Sequence, residues 1–144
     1  MAVNITFTCD GVTLSETNAL DFGTVQAGTS SAIKTISVAN TGTSDAQQCV
    51  IEAREATIAN GFSINSQSGT TAETCNAQKY SNDSTNGSWY AYAVFGVGKS
   101  YASKTGGTII ASTGTDSCVT KWEPPSNGTS GQKVWGNVFS CVYI

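Results

Sequence analysis

Apolar residues in this chain come in short alternating runs, each closed within a few positions by glycine, asparagine or serine. Ile5-Thr6-Phe7-Thr8-Cys9 alternates and gives way to Asp10-Gly11. Ala32–Ala39 repeats the pattern more strongly, with Ile36 and Val38 set against Thr35, Ser37 and Ala39, before Asn40-Thr41-Gly42 stops it. A period of two puts one face of a strand on a core and the other toward water. Further runs follow at Leu20–Val25, Phe62–Ile64, Ser88–Phe95, Gly107–Ser112 and Val134–Ile144. Residues 46–58 hold good helix formers. Yet Cys49, Ile51 and Ala53 alternate there with Val50, Glu52 and Arg54, so a strand is expected and a helix is the alternative. A further strand is expected around Cys75 within Thr71–Lys79, an exposed loop over Ser81–Gly87, and a turn cluster at Glu123–Gly128. Eight or nine short strands predict an all-β antiparallel sandwich.

Composition supports this and excludes other classes. Thr, Ser, Gly and Asn fill 63 of 144 positions, and charged residues are only 12%. Such sparse charge is not that of a charged disordered chain. Seven basic against ten acidic residues give no footprint for nucleic acid. No apolar run nears the roughly 20 residues of a membrane-spanning helix. Histidine is absent, which removes the commonest general base and metal ligand.

The N-terminus, MAVNITFTCDG, has neither the basic segment nor the apolar core of a leader. The expectation is a chain made and kept in a cytosol; a start that replaces a cleaved leader would look the same. Cys9, Cys49, Cys75, Cys118 and Cys141 are widely spaced, with no CxxC pair. Five thiols, mostly buried as small hydrophobes, are therefore expected. Cys9–Cys49 and Cys118–Cys141 are the pairs to consider should the protein meet an oxidising medium. The Asn-X-Ser/Thr sequons at Asn4, Asn82, Asn86 and Asn127 are what chance supplies in a chain this rich in Ser and Thr.

Residues 20–40 carry a recognisable pattern: Leu20, Phe22, Gly23, Val25 and Gly28, then Ile36 and Val38 in a strand closed by Asn40 and Gly42. This resembles the start of immunoglobulin-like domains of the ASPM/SPD-2/Hydin type, related to major sperm protein and pilus-chaperone sandwiches. Phe62-Ser63-Ile64, Trp89–Phe95 and Gly107–Ser112 match its later strands more weakly. The resemblance spans about residues 18–113. It departs at Gly96, where the family usually has proline, and leaves 114–144 unexplained. It implies an immunoglobulin-like β-sandwich over 1–113 that serves assembly and docking. Residues 114–144 would form a C-terminal β extension packed on the same domain or on a neighbouring subunit. Leu20 and Phe22 would plug the core, and Gly23 and Gly28 would supply turns.

No catalytic, cofactor-binding or metal-binding group is expected. Glu52 and Glu55 flank Arg54 as solvated surface charge. Asp21 reads as a cap on backbone N–H groups. Asp10, Asp83 and Asp116 are too dispersed for calcium. Gly96-Val97-Gly98-Lys99-Ser100 lacks the upstream glycine of a phosphate loop. The aromatic residues of the second half are the better candidates for contact. Trp122, Trp135, Phe139 and Tyr143 form the candidate interface, with Trp122 as the exposed anchor.

The expected function is that of a non-enzymatic structural protein of a tailed bacteriophage virion, assembled in the host cytoplasm. It would decorate the capsid or sit in the neck, tail or baseplate. Its partners would be other virion subunits, in an oligomeric assembly, with no nucleic acid or membrane. The alternatives are a carbohydrate-binding or adhesive β-sandwich module and a pilus or surface-layer subunit.

Overall fold

The computed structural model describes residues 2–55, 61–64, 69–82 and 87–142. Nine strands form two antiparallel sheets among them. They are β1 (Ile5–Cys9), β2 (Val12–Leu14), β3 (Lys34–Asn40), β4 (Gln47–Arg54), β5 (Gly61–Ile64), β6 (Gln78–Ser81), β7 (Tyr92–Val94), β8 (Thr115–Trp122) and β9 (Trp135–Val142). One sheet runs β2-β1-β3-β8-β6, the other β5-β9-β4-β7. The protein is an all-β sandwich.

Alternation dictates which residues meet between the sheets. Phe7, Cys9, Ile36, Val38 and Cys118 point inward from the first sheet, and Cys49, Ile51, Phe62, Ala93, Trp135 and Phe139 from the second. Phe7 meets Phe62 and Phe139 edge to face, with ring centroids 5.2 and 5.8 Å apart. Burying one such ring stabilises the fold by about 2–3 kcal/mol.

The 20–28 segment is not a strand, but its residues act as the motif implies. Leu20 and Phe22 are buried, and Phe22 stacks on Trp135. Gly23 and Gly28 take φ of +73° and +80°, a region costly for other residues. Asp21 accepts the Gly23 N–H at 2.7 Å. Asn40 closes β3: its amide donates to the Ser44 and Ile109 carbonyls, and its side-chain oxygen accepts from Gly42 N–H.

The strand expected within 46–58 holds, and several other local expectations give way. The 46–58 run is a strand, β4, to Arg54; residues 56–60 lie outside the described set. Around Cys75 the chain makes a short 3-10 turn, Cys75–Ala77, and the strand begins only at Gln78. Ser81 belongs to that strand and is buried. Gly107–Ser112 makes isolated bridges, Thr108 to Val97 and Ile109 to Ala46, instead of a strand. The 114–144 segment is no appendage: β8 lies between β3 and β6, and β9 between β5 and β4. Each sheet thus draws an inner strand from it, so a boundary at 113/114 cuts through both.

Candidate functional site

Three of the four aromatic residues expected at an interface can be located, and none is a free platform. Trp135 and Phe139 are core residues, 2% and 5% exposed. They lie on the inward parity of β9, where Trp135 is held by a polar network joining the two sheets. Its indole N–H donates to the Gln78 side-chain oxygen at 2.6 Å. The Gln78 amide donates to Thr120 Oγ1 and to Asn137 Oδ1, both at 2.9 Å. The Tyr80 hydroxyl also donates to Asn137 Oδ1. Burial pushes the Tyr80 phenol well above its ordinary pKa, so it remains a donor. Tyr143 lies outside the described residues.

Trp122, expected to be exposed, is half-buried at the end of β8. Its ring packs on Trp135 at 5.4 Å, and its indole N–H donates to the Glu73 carbonyl at 2.9 Å. Beside it opens a cleft of about 650 Å³, lined by Asp21, Phe22, Glu73, Trp122, Lys133 and Trp135 among others. Glu73 is the organising charge. Its carboxylate accepts from the backbone N–H and hydroxyl of Thr70, each at 2.9 Å, and from the N–H and hydroxyl of Thr129. The Thr129 and Thr70 donors pull its pKa down to about 2. Lys133, whose side chain is largely covered, lies 3.9 Å from Glu73 and donates to Thr129 Oγ1 at 2.9 Å. These bonds moor the 128–133 loop to the 70–74 turn. Sequence reading missed Glu73, although Thr70-Thr71-Ala72-Glu73 has the spacing of a capping box. Nothing in the sequence marks Lys133, Gln78 or Asn137.

Glu52 and Glu55, unlike Glu73, lie toward the surface. Glu52 pairs with Arg54 at 2.8 Å and with Lys104, and Glu55 accepts from the Thr71 hydroxyl. Among the described residues no His/Cys/Asp/Glu cluster is grouped to hold a metal ion.

The outer face of the first sheet is of a different kind. Thr13 stands opposite Thr8, Thr8 opposite Ser37, and Ser37 opposite Ser117. Four hydroxyl side chains thus form one row across β2, β1, β3 and β8, at the inter-strand spacing of about 4.8 Å. Thr6, Ala39 and Thr115 form the row on one side, and Thr35 and Val119 lie on the other. These outward positions carry no charge, and Thr6, Thr13, Thr35, Thr115 and Ser117 are exposed.

The fold and these surfaces define a β-sandwich with an uncharged, hydroxylated patch on the outer face of β2, β1, β3 and β8, bordered by the cross-strand pair Lys79 and Lys121, and a tryptophan-lined cleft. Comparison with family models, curated proteins and solved structures finds no match to this chain.

Proposed function

We propose that this chain is a non-enzymatic structural protein of a tailed bacteriophage virion, docking on the capsid as a decoration protein or in the neck, tail or baseplate. The observation that carries this reading is the in-register hydroxyl face of β2, β1, β3 and β8. Uncharged short side chains lose little rotamer entropy on burial. They offer a donor and acceptors at each position, and they set up no like-charge repulsion when copies repeat on a lattice. The immunoglobulin-like resemblance belongs to the same reading, since such domains are docking modules; fold alone assigns no function. Mass spectrometry of purified particles tests it. The protein is expected in intact virions, and its absence from them defeats the reading.

The second reading is a carbohydrate-binding module, favoured by the open cleft beside Trp122. Glycan-array binding that is lost in Trp122→Ala would select it over the first.

A further inference from the structure

The two pairings that the sequence left to consider, Cys9–Cys49 and Cys118–Cys141, each join opposite sheets, and all five cysteines are free thiols. The register brings a different pair together. Gln47 stands opposite Val142 and Val50 opposite Ser140, with an irregularity between them. Two residues of β4, Gln48 and Cys49, therefore face the single residue Cys141 of β9. Gln48 is the bulged position, at φ +55°. Two positions further along both strands, Ile51 and Phe139 pair and both enter the core. Alternation then puts Cys49 and Cys141 on that same inner face, Cys49 fully buried and Cys141 packed against the core's edge.

The backbone at Cys49 points away from β9. Its N–H donates to the Gly107 carbonyl at 3.3 Å, and its carbonyl accepts from Phe95 N–H at 2.9 Å. Cys49 and Cys141 thus occupy a non-hydrogen-bonded cross-strand position, where Cα atoms typically lie about 4.5 Å apart. That falls within the roughly 4.4–6.8 Å a disulfide spans. Cys9 and Cys118 share a face as well, but both stand opposite Ile36, one on each side. A whole strand separates them, about 9.5 Å at the usual spacing.

We propose that Cys49 and Cys141 are a disulfide-forming pair that closes when the folded protein meets a low-molecular-weight disulfide such as oxidised glutathione. The Cys141 thiol, the more accessible of the two, loses its proton and attacks one sulfur of the small disulfide. That S–S bond breaks, a mixed disulfide forms and one small thiol leaves. The Cys49 sulfur, after losing its proton, attacks Cys141 sulfur and expels the second small thiol. Two protein thiols are oxidised by two electrons, and one small disulfide is reduced to two thiols. The product clamps β4 to β9 where the bulge interrupts their ladder. Burial raises both thiol pKa values, Cys49 to about 12, so closure is slow at neutral pH.

The sequence makes the test clean. Cleavage after every Lys and Arg places the five cysteines on five separate peptides, with Cys49 on 35–54 and Cys141 on 134–144. The full-length protein is held with oxidised glutathione, its fold followed by circular dichroism, then alkylated, digested without reductant and analysed by mass spectrometry. The expected result is a 35–54/134–144 linked species, roughly 2 Da lighter than the two free peptides together, that is absent from Cys141→Ser. A folded protein with no such link, a glutathione adduct on Cys141 that never resolves, or a link between any other two peptides overturns the proposal.

Discussion

The Trp135 indole N–H reaches the Gln78 side-chain oxygen at 2.6 Å, from β9 in one sheet to β6 in the other. Gln78 also donates to Thr120 and Asn137, so one amide holds three partners inside the sandwich. Gln78→Ala leaves these buried groups short of a partner, each costing about 1–3 kcal/mol. The expected loss is about 3 kcal/mol or more, read as a lower urea midpoint with an unchanged slope.

Glu73 makes stability depend on acid. Its folded pKa is depressed to about 2 by the Thr129 and Thr70 donors. The unfolded carboxylate, with an ordinary pKa, takes up a proton first as pH falls. The contribution of Glu73 is therefore fully present above about pH 4.5 and is lost progressively as pH drops toward 2. Thermal melts of the wild type are expected to fall over that window. Those of Glu73→Gln should start lower at neutral pH and fall less.

Two glycines are expected to fail for different reasons. A Cβ on Gly61 would lie 1.7 Å from the Asn137 carbonyl oxygen of the neighbouring strand. Gly61→Ala must push β5 off β9 and should cost more than about 2 kcal/mol. Gly23 has open space around it and a φ of +73°, so Gly23→Ala meets backbone strain alone, roughly 1 kcal/mol. Chemical denaturation of the two variants should rank them in that order.

The hydroxyl face gives the virion reading a residue-level test. Thr6 and Ser117 are exposed on β1 and β8. Thr6→Arg with Ser117→Arg should stay within about 0.5 kcal/mol of wild-type stability per site, yet abolish incorporation into particles. Ser140→Arg, exposed on the second sheet, should be incorporated normally. Equal incorporation of both would rule out that face as the docking surface.

Elements with apolar alternation on one parity could be read directly. Ile36 and Val38 mark β3, and Cys49 with Ile51 marks β4 over the helical alternative. β8 was hidden because its inward positions are Asp116, Cys118, Thr120 and Trp122, three of them polar or amphipathic. Thr120 is buried only because Gln78 supplies its partner. That partner lies 42 residues away, and no local pattern reports it. Trp122 was misplaced for the same reason: with β8 unseen, it read as the lip of a loop. The cleft beside it depends on Glu73 and Lys133, of which only the Thr70–Glu73 spacing is local.

The sequence by itself determined the class of fold. A period of two, interrupted by glycine, asparagine and serine, can bury its apolar face only by pairing strands into sheets. The motif from Leu20 to Gly42 likewise determined which side chains plug the core and where the chain must turn. Only the tertiary structure decided the rest. Val138 and Val142 are as apolar as Trp135 and Phe139, so β9 could have turned either face inward. The choice falls to the face carrying Asn137, because Gln78 and Tyr80 are placed to satisfy its side-chain oxygen. Burying a polar group is tolerable only where its partners already stand. The same pairing of distant strands makes neighbours of Cys49 and Cys141 and aligns Thr13, Thr8, Ser37 and Ser117 into one row.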